Sequence, residues 1–182
     1  MASRLGWQVA LAVGIVSYAL ISGSPEPAPA ASRPWHLPLL HTATTDITRA
    51  FDLAVSPDGS GFVRGHRGVD FPAVEGDEVR AVGDGVVYFS GVISGKPTIS
   101  IDHGDQLKVF GFRVRSTYEP VESRLAIGQR VSRGQVIGNV SEGNSHCSGT
   151  CLHFGLKVDK DRYVNPELLW VVSPSLLPSA RG

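Results

Sequence analysis

The sequence predicts an antiparallel all-β domain. Three observations carry that prediction: Gly and Pro are abundant, 21 and 12 among 182 residues; long amphipathic runs are scarce; and short valine-rich segments are separated by Gly-centred turns. The segments fall at 69–74, 79–82, 85–89, 98–102, 107–118, 131–140 and 152–158. Gly83-Asp84-Gly85 and Asp102-His103-Gly104 supply turn chemistry between neighbours in that series, and His103 is read as a turn residue. Asn165-Pro166-Glu167-Leu168-Leu169-Trp170 predicts one short helical turn near the C-terminus, with Pro166 tolerated at its first position. Gly76-Asp77-Glu78-Val79 is echoed by Gly128-Gln129-Arg130-Val131, and one such echo does not make a solenoid.

The segment ahead of these strands sets the expected compartment. Arg4 precedes an apolar stretch over 5–21, and a small, Pro-rich stretch follows over 22–32. Residues 1–31 are therefore expected to be a signal peptide, with Ala28-Pro29-Ala30 as its cleavage site, or an N-terminal membrane anchor, because the apolar run approaches a bilayer-spanning length. Either form delivers a secreted or membrane-anchored domain outside the cytoplasm. Residues 32–50 read as a Pro/Ala/Ser-containing linker and lead-in, 51–172 as the domain proper and 173–182 as a flexible tail, with ordered structure from about Trp35 to Trp170. Lys plus Arg and Asp plus Glu balance at 17 each. Removing the leader takes away one of each sign, Arg4 and Glu26. No basic run exists to neutralise phosphates, which argues against a nucleic-acid partner.

Two short segments carry candidate metal chemistry. Gly65-His66-Arg67-Gly68-Val69-Asp70 offers an imidazole and a carboxylate four residues apart around a Gly that lets the chain bend. Alone, it equally suits a surface loop in which Asp70 caps a turn. In Leu152-His153-Phe154, alternation sends His153 to the face opposite its apolar neighbours, although a lone strand His is commonly structural. In an oxidising exterior, Cys147 and Cys151 are expected to form a short-loop disulfide. The competing arrangement is a zinc site of His146, Cys147, Cys151 and His153, which needs reduced thiols.

Order decides what the separate segments leave open. His-x-Gly-x-Asp, then Asp102-His103-Gly104, then 128–140, then Leu152-His153-Phe154-Gly155 resembles the lysostaphin/LytM-type peptidoglycan endopeptidases over roughly 62–170. Gly65-His66-Arg67-Gly68-Val69-Asp70, Ser116-Thr117-Tyr118-Glu119-Pro120 and Cys151-Leu152-His153 are most similar to an actinobacterial branch, with Cys-Leu-His in place of His-Leu-His. The resemblance implies a duplicated hybrid motif fold: a two-layer antiparallel β-sheet domain with an open groove. It also implies one Zn2+ per chain on His66, Asp70 and His153, and an exported zinc metalloendopeptidase that cuts peptide bonds in peptidoglycan cross-links or stem peptides through a zinc-bound hydroxide.

Two proton-handling histidines of the family are replaced here, by Pro120 and Cys151. Three other residues are candidates for that work. His146 lies seven residues before His153, where a bridged loop could turn it back toward the groove; Glu119 is a possible general base; Tyr118 is a possible oxyanion donor. The alternative function is a catalytically degenerate domain that binds cell wall or regulates another hydrolase. A lipoyl or biotinyl carrier is disfavoured, since the Gly83-Asp84-Gly85 tip has no acceptor Lys. Residues 109–115 look like an insertion into the usual hairpin.

Overall fold

The computed structural model describes residues 35–53, 65–142, 147, 149–158 and 162–171. The expected leader at 1–31, the tail at 173–182 and His146 lie outside the described residues. A 3₁₀ turn at Thr44–Asp46 comes first, followed by β1 (Val69–Pro72), β2 (Glu78–Arg80), β3 (Gly85–Ile93), β4 (Lys96–Asp102), β5 (Lys108–Val109) and β6 (Phe112–Glu119). The remaining elements are β7 (Val121–Glu122), β8 (Arg130–Val131), β9 (Val136–Val140), β10 (Cys151–Val158), β11 (Arg162–Val164) and a last turn, α1 (Leu168–Val171). The larger sheet runs β1-β10-β6-β4-β3-β8, with β11 beside β10 and β5 beside β6; the smaller runs β2-β9-β7. Neighbours in both are antiparallel, and the sheets do not close into a barrel.

Alternation explains which face each strand buries. Along β6, Val114, Ser116 and Tyr118 are buried while Arg115, Thr117 and Glu119 on the other face are partly exposed. On β10, Leu152, Phe154, Leu156 and Val158 go inward and His153 and Lys157 outward. One apolar cluster then takes Val79, Val121, Ile137 and Val140 from the small sheet and Phe71, Ile99, Ile101, Phe154 and Leu156 from the large one. Each such side chain contributes about 1.5–3 kcal/mol when fully removed from water. Asn165 starts the C-terminal turn by accepting the Glu167 amide on Oδ1 at 3.0 Å, with Pro166 next in line where no amide is needed. That turn lays Trp170 against Phe71 and Phe154, at centroid distances of 6.0 and 5.6 Å.

Several expected strands divide or lengthen. The run 107–118 is two strands joined by a tight turn at Phe110 and Gly111, whose φ values of 51° and 82° have the sign that a two-residue hairpin requires. Ser94 and Gly95 make the same kind of turn between β3 and β4, which carries β3 on to Ile93. The run 131–140 splits into β8 and β9, and β7 and β11 are short pieces with no apolar pattern of their own. The sequence echo has a physical counterpart. The Gly76 amide donates to the Val140 carbonyl while the Val140 amide donates to Asp77; Gly128 and Gln129 grip Val87 by the same pair of bonds.

The lead-in is part of the folded unit from residue 35. Leu39 is fully buried, the His36 amide donates to the Val82 carbonyl and the Arg80 amide to the Pro38 carbonyl. Further on, the chain runs antiparallel beside the His-x-Gly-x-Asp segment, bridging Arg49 to Asp70 and Asp52 to His66.

His103 and Tyr118 meet in a buried polar chain. His103 Nδ1 donates to the Asp84 carbonyl at 2.8 Å, so Nε2 is the acceptor, and it receives the Ser116 hydroxyl at 2.8 Å. Ser116 Oγ lies 3.0 Å from the Tyr118 hydroxyl, which accepts the Val82 amide at 3.1 Å. The turn role expected for His103 is thus joined to a core role. Burial pushes its pKa below 6.5 against the opposing pull of Asp84 and Asp102. The unfolded chain therefore takes up this proton more readily, so the contribution is fully present above pH 6.5 and is lost as pH falls from there through the folded value. In metal-free protein the urea midpoint should fall between about pH 7 and pH 5, and a His103→Gln variant should show a flatter profile over that window. An identical slope in the two proteins would contradict this assignment.

Candidate metal centre

Three segments converge on one point. His66 is held by a backbone bridge to Asp52 and by its own ring, because Nδ1 donates to the Ala50 carbonyl at 2.7 Å. That bond leaves Nε2 with its lone pair directed away from Ala50, the arrangement a metal-ligating imidazole needs. Asp70 lies within β1, directly opposite His153 on β10. Its backbone is fixed from the far side, since its amide donates to Arg49 and its carbonyl accepts the amide and hydroxyl of Thr48. Asp70 Oδ1 is 3.0 Å from His66 Nε2 and 2.8 Å from His153 Nδ1, and the two nitrogens are 3.0 Å apart.

Gly68 makes this approach possible. A methyl group on it would lie 2.7 Å from His153 Cε1 and Nε2 and would collide with the Phe154 carbonyl oxygen. The expected bend at this Gly is therefore a close passage of one chain over another.

The donor set fits zinc. Ligand atoms about 2.0–2.1 Å from a tetrahedral ion stand about 3.3 Å apart, close to the spacing here, and His, His and carboxylate leave a position for water. The Asp70 carboxylate is fully buried. Burial would raise its pKa, but the imidazoles of His153 and His66 beside it prevail and hold it well below the ordinary carboxylate value. His66, Asp70 and His153 could thus hold the metal.

Cys147 and Cys151 are bridged, with Cα atoms 6.2 Å apart. Neither sulfur is a thiolate, so the Cys/His arrangement has no soft ligands to offer. Cys147 Sγ nonetheless lies 3.6 Å from Asp70 Oδ2, so the bridged loop touches the centre.

The other candidates divide by face. Glu119 is the register partner of His153 on β6 and shares its face. Its carboxylate is 3.4 Å from Lys96 Nζ and 3.5 Å from Thr98 Oγ1. Tyr118, one residue earlier, points the other way. Its ring packs on Phe154 at 5.3 Å, its hydroxyl is occupied by Val82 and Ser116, and burial raises its pKa to about 12. The oxyanion role read for Tyr118 is corrected: strand alternation puts it in the core. Pro120 and Cys151 are both buried, and neither can carry a proton. Sequence reasoning missed Ala50, which acts through its carbonyl and leaves no side-chain signature.

Among curated proteins, the chain is 38% identical over 110 residues to uncharacterized protein Rv2891 of Mycobacterium tuberculosis, covering 60% of this chain and 40% of that one. An uncharacterized protein of Mycobacterium bovis, Mb2915, matches to the same extent. The chain thus spans about two fifths of the length of these relatives. Among solved structures, Csd3 of Helicobacter pylori superposes with a TM-score of 0.54 at 28% identity, over 72% of this chain and 33% of that one. Lysostaphin of Staphylococcus simulans shares the fold, with a TM-score of 0.51 at 19% identity over 74% and 56% of the two chains. The family model that matches residues 64–166 spans more than half of the chain and contains His66, Asp70 and His153, and the chain belongs to peptidase family M23.

Proposed function

We propose that this protein is an exported zinc metalloendopeptidase that hydrolyses peptide bonds in peptidoglycan cross-links or stem peptides, in the cell wall or anchored at the membrane beside it. The observation that carries the reading is the triangle of donor atoms, each within 3.0 Å of the others, with His66 and Asp70 buried and His153 partly exposed. A bound zinc supplies Lewis-acid polarisation of the scissile carbonyl and acidifies a water enough to attack near neutral pH. The protein's part is positioning: the Ala50 carbonyl orients His66, Thr48 and Arg49 fix the Asp70 backbone, and the passage at Gly68 sets His153. Incubating the purified full chain with cross-linked peptidoglycan should release new amino termini, and a chelator should abolish the release. Intact cross-links in zinc-loaded protein would overturn the enzymatic reading.

Hydrolysis also needs a proton carrier, and the usual positions hold Pro120 and Cys151. We assign that role to His146, whose chain neighbour Cys147 touches Asp70, and whose unperturbed pKa would lie near neutral. His146→Ala should keep zinc and fold while slowing hydrolysis about a hundredfold. If turnover is unchanged, the role passes to Glu119, and Glu119→Gln should then show the loss. The second reading, a degenerate domain that binds cell wall or regulates another hydrolase, is favoured by the two replaced histidines alone; it requires peptidoglycan binding with no release of amino termini.

A further inference from the structure

The Cys147–Cys151 bridge is a reactive group beside the metal centre that hydrolysis leaves idle. Its relation to that centre is set by the Asp70 carboxylate, which lies between two sets of donors. Oδ1 faces both imidazoles, at 3.0 and 2.8 Å, and Oδ2 has Cys147 Sγ at 3.6 Å. The carboxylate and the two sulfurs all stand within 4.8 Å of one another. On one tetrahedral zinc, a thiolate about 2.3 Å and a carboxylate oxygen about 2.0–2.2 Å from the ion are about 3.5 Å apart. The sulfur is thus already at ligand spacing from the carboxylate, and its bond to Cys151 is what withholds the charge a ligand needs. The two cysteines are not equivalent. Cys151 is buried in β10, paired with Pro72 and two residues before His153. Cys147 is half-buried and stands outside the strands, so β-pairing does not fix its position.

We propose that reduction of this bridge makes Cys147 the fourth ligand of the metal held by His66, Asp70 and His153, filling the position that those three leave open. The inference rests on the zinc reading of the centre and adds a regulator to it. A dithiol supplies two electrons and two hydrogens: its own sulfurs join in a disulfide, the Cys147–Cys151 bond breaks, and both cysteines become thiols. Cys147 then gives its proton to solvent as its thiolate binds, while Cys151 stays a buried thiol. Thiolate is a softer donor than the water it replaces, so the metal is held more tightly while hydrolysis stops. Exchange with an external disulfide reverses the change. In the oxidising exterior proposed above the pair stays bridged and the position open; in a reducing cytoplasm, before export, the position is filled.

The test uses cobalt(II) as the probe, because a thiolate on it gives a near-ultraviolet charge-transfer band that imidazole and carboxylate do not. The full chain is loaded with Co2+ before and after reduction by dithiothreitol, the reductant being removed under argon before the metal is added. The bridged protein should bind Co2+ without the band. The reduced protein should show the band, and its zinc affinity should be at least about tenfold higher. Cys147→Ala should lack the band under either condition, and Cys151→Ala, in which Cys147 is a thiol throughout, should show it without reductant. Both variants should keep the far-ultraviolet spectrum. Hydrolysis of peptidoglycan should cease in the reduced protein and return on reoxidation. Reduced protein that binds Co2+ without the band, or a band that survives Cys147→Ala, would overturn the proposal. So would hydrolysis lost on reduction with no band, since the chain would then have lost shape rather than gained a ligand. Failure of the zinc reading looks different: neither redox form would hold Co2+, or Asp70→Ala would hold it as well as the wild type.

Discussion

Asp70→Ala should bind no zinc after dialysis and should lose hydrolysis by roughly a thousandfold or more, the scale of the several kcal/mol that a Lewis-acid metal contributes to the transition state. Asp70 Oδ1 is the vertex shared by both imidazoles, at 3.0 and 2.8 Å, so its removal takes away the anionic ligand together with the partner that holds the two rings. His66→Ala and His153→Ala should lose the metal as well, since two protein ligands are fewer than an open zinc site needs. Metal analysis of the three variants, beside release of amino termini, checks this. Full zinc occupancy in all of them would place the metal elsewhere.

Gly68→Ala should be the most damaging single methyl group near the site. At an ordinary backbone conformation Ala normally stabilises by restricting the unfolded chain. Here the new Cβ would sit 2.7 Å from two atoms of the His153 ring and would collide with the Phe154 carbonyl oxygen. Phe154 is in the core and has no room to retreat. Overpacking of this kind costs about 3 kcal/mol, which lowers the melting temperature by roughly 10 °C in a domain of this size. Because the ring must move, zinc affinity should fall at least about tenfold as well. Gly76→Ala is the control. Its φ of 88° strains any L residue, but a Cβ there meets nothing within 4 Å, so stability should fall by about 1 kcal/mol with zinc affinity unchanged. Thermal unfolding and zinc titration of both variants separate the two effects, and wild-type zinc binding by Gly68→Ala would contradict the close-passage account.

Much of this architecture is legible in the sequence because its causes are local. Alternation along β10 and β6 follows from side-chain period, and the Asn165-Pro166 start of the last turn from capping chemistry. The order of short motifs is what singles out His66, Asp70 and His153 as candidate ligands, since His66 or His153 alone says little, and the structure brings their donor atoms together. What escaped has non-local causes. Tyr118 looked like a site residue because it adjoins Glu119 in sequence, yet a strand separates adjacent side chains by its whole thickness. The break at Phe110 and Gly111 was hidden inside a continuous apolar run, where only the Gly hinted at a turn. Ala50 could not have been found by any reading of side chains, because its contribution is a carbonyl oxygen placed by pairing across residues remote in sequence.

That carbonyl separates two boundaries that are easily equated. The family likeness begins at residue 64, and a gene fragment cut there would encode all three candidate ligands. It would also discard the segment from Thr48 to Asp52, whose bridges and hydrogen bonds orient the His66 ring and close the outer edge of the Asp70 backbone. The smallest recombinant piece able to load zinc with native affinity should therefore begin before Thr48, some way upstream of where homology alone would place the scissors.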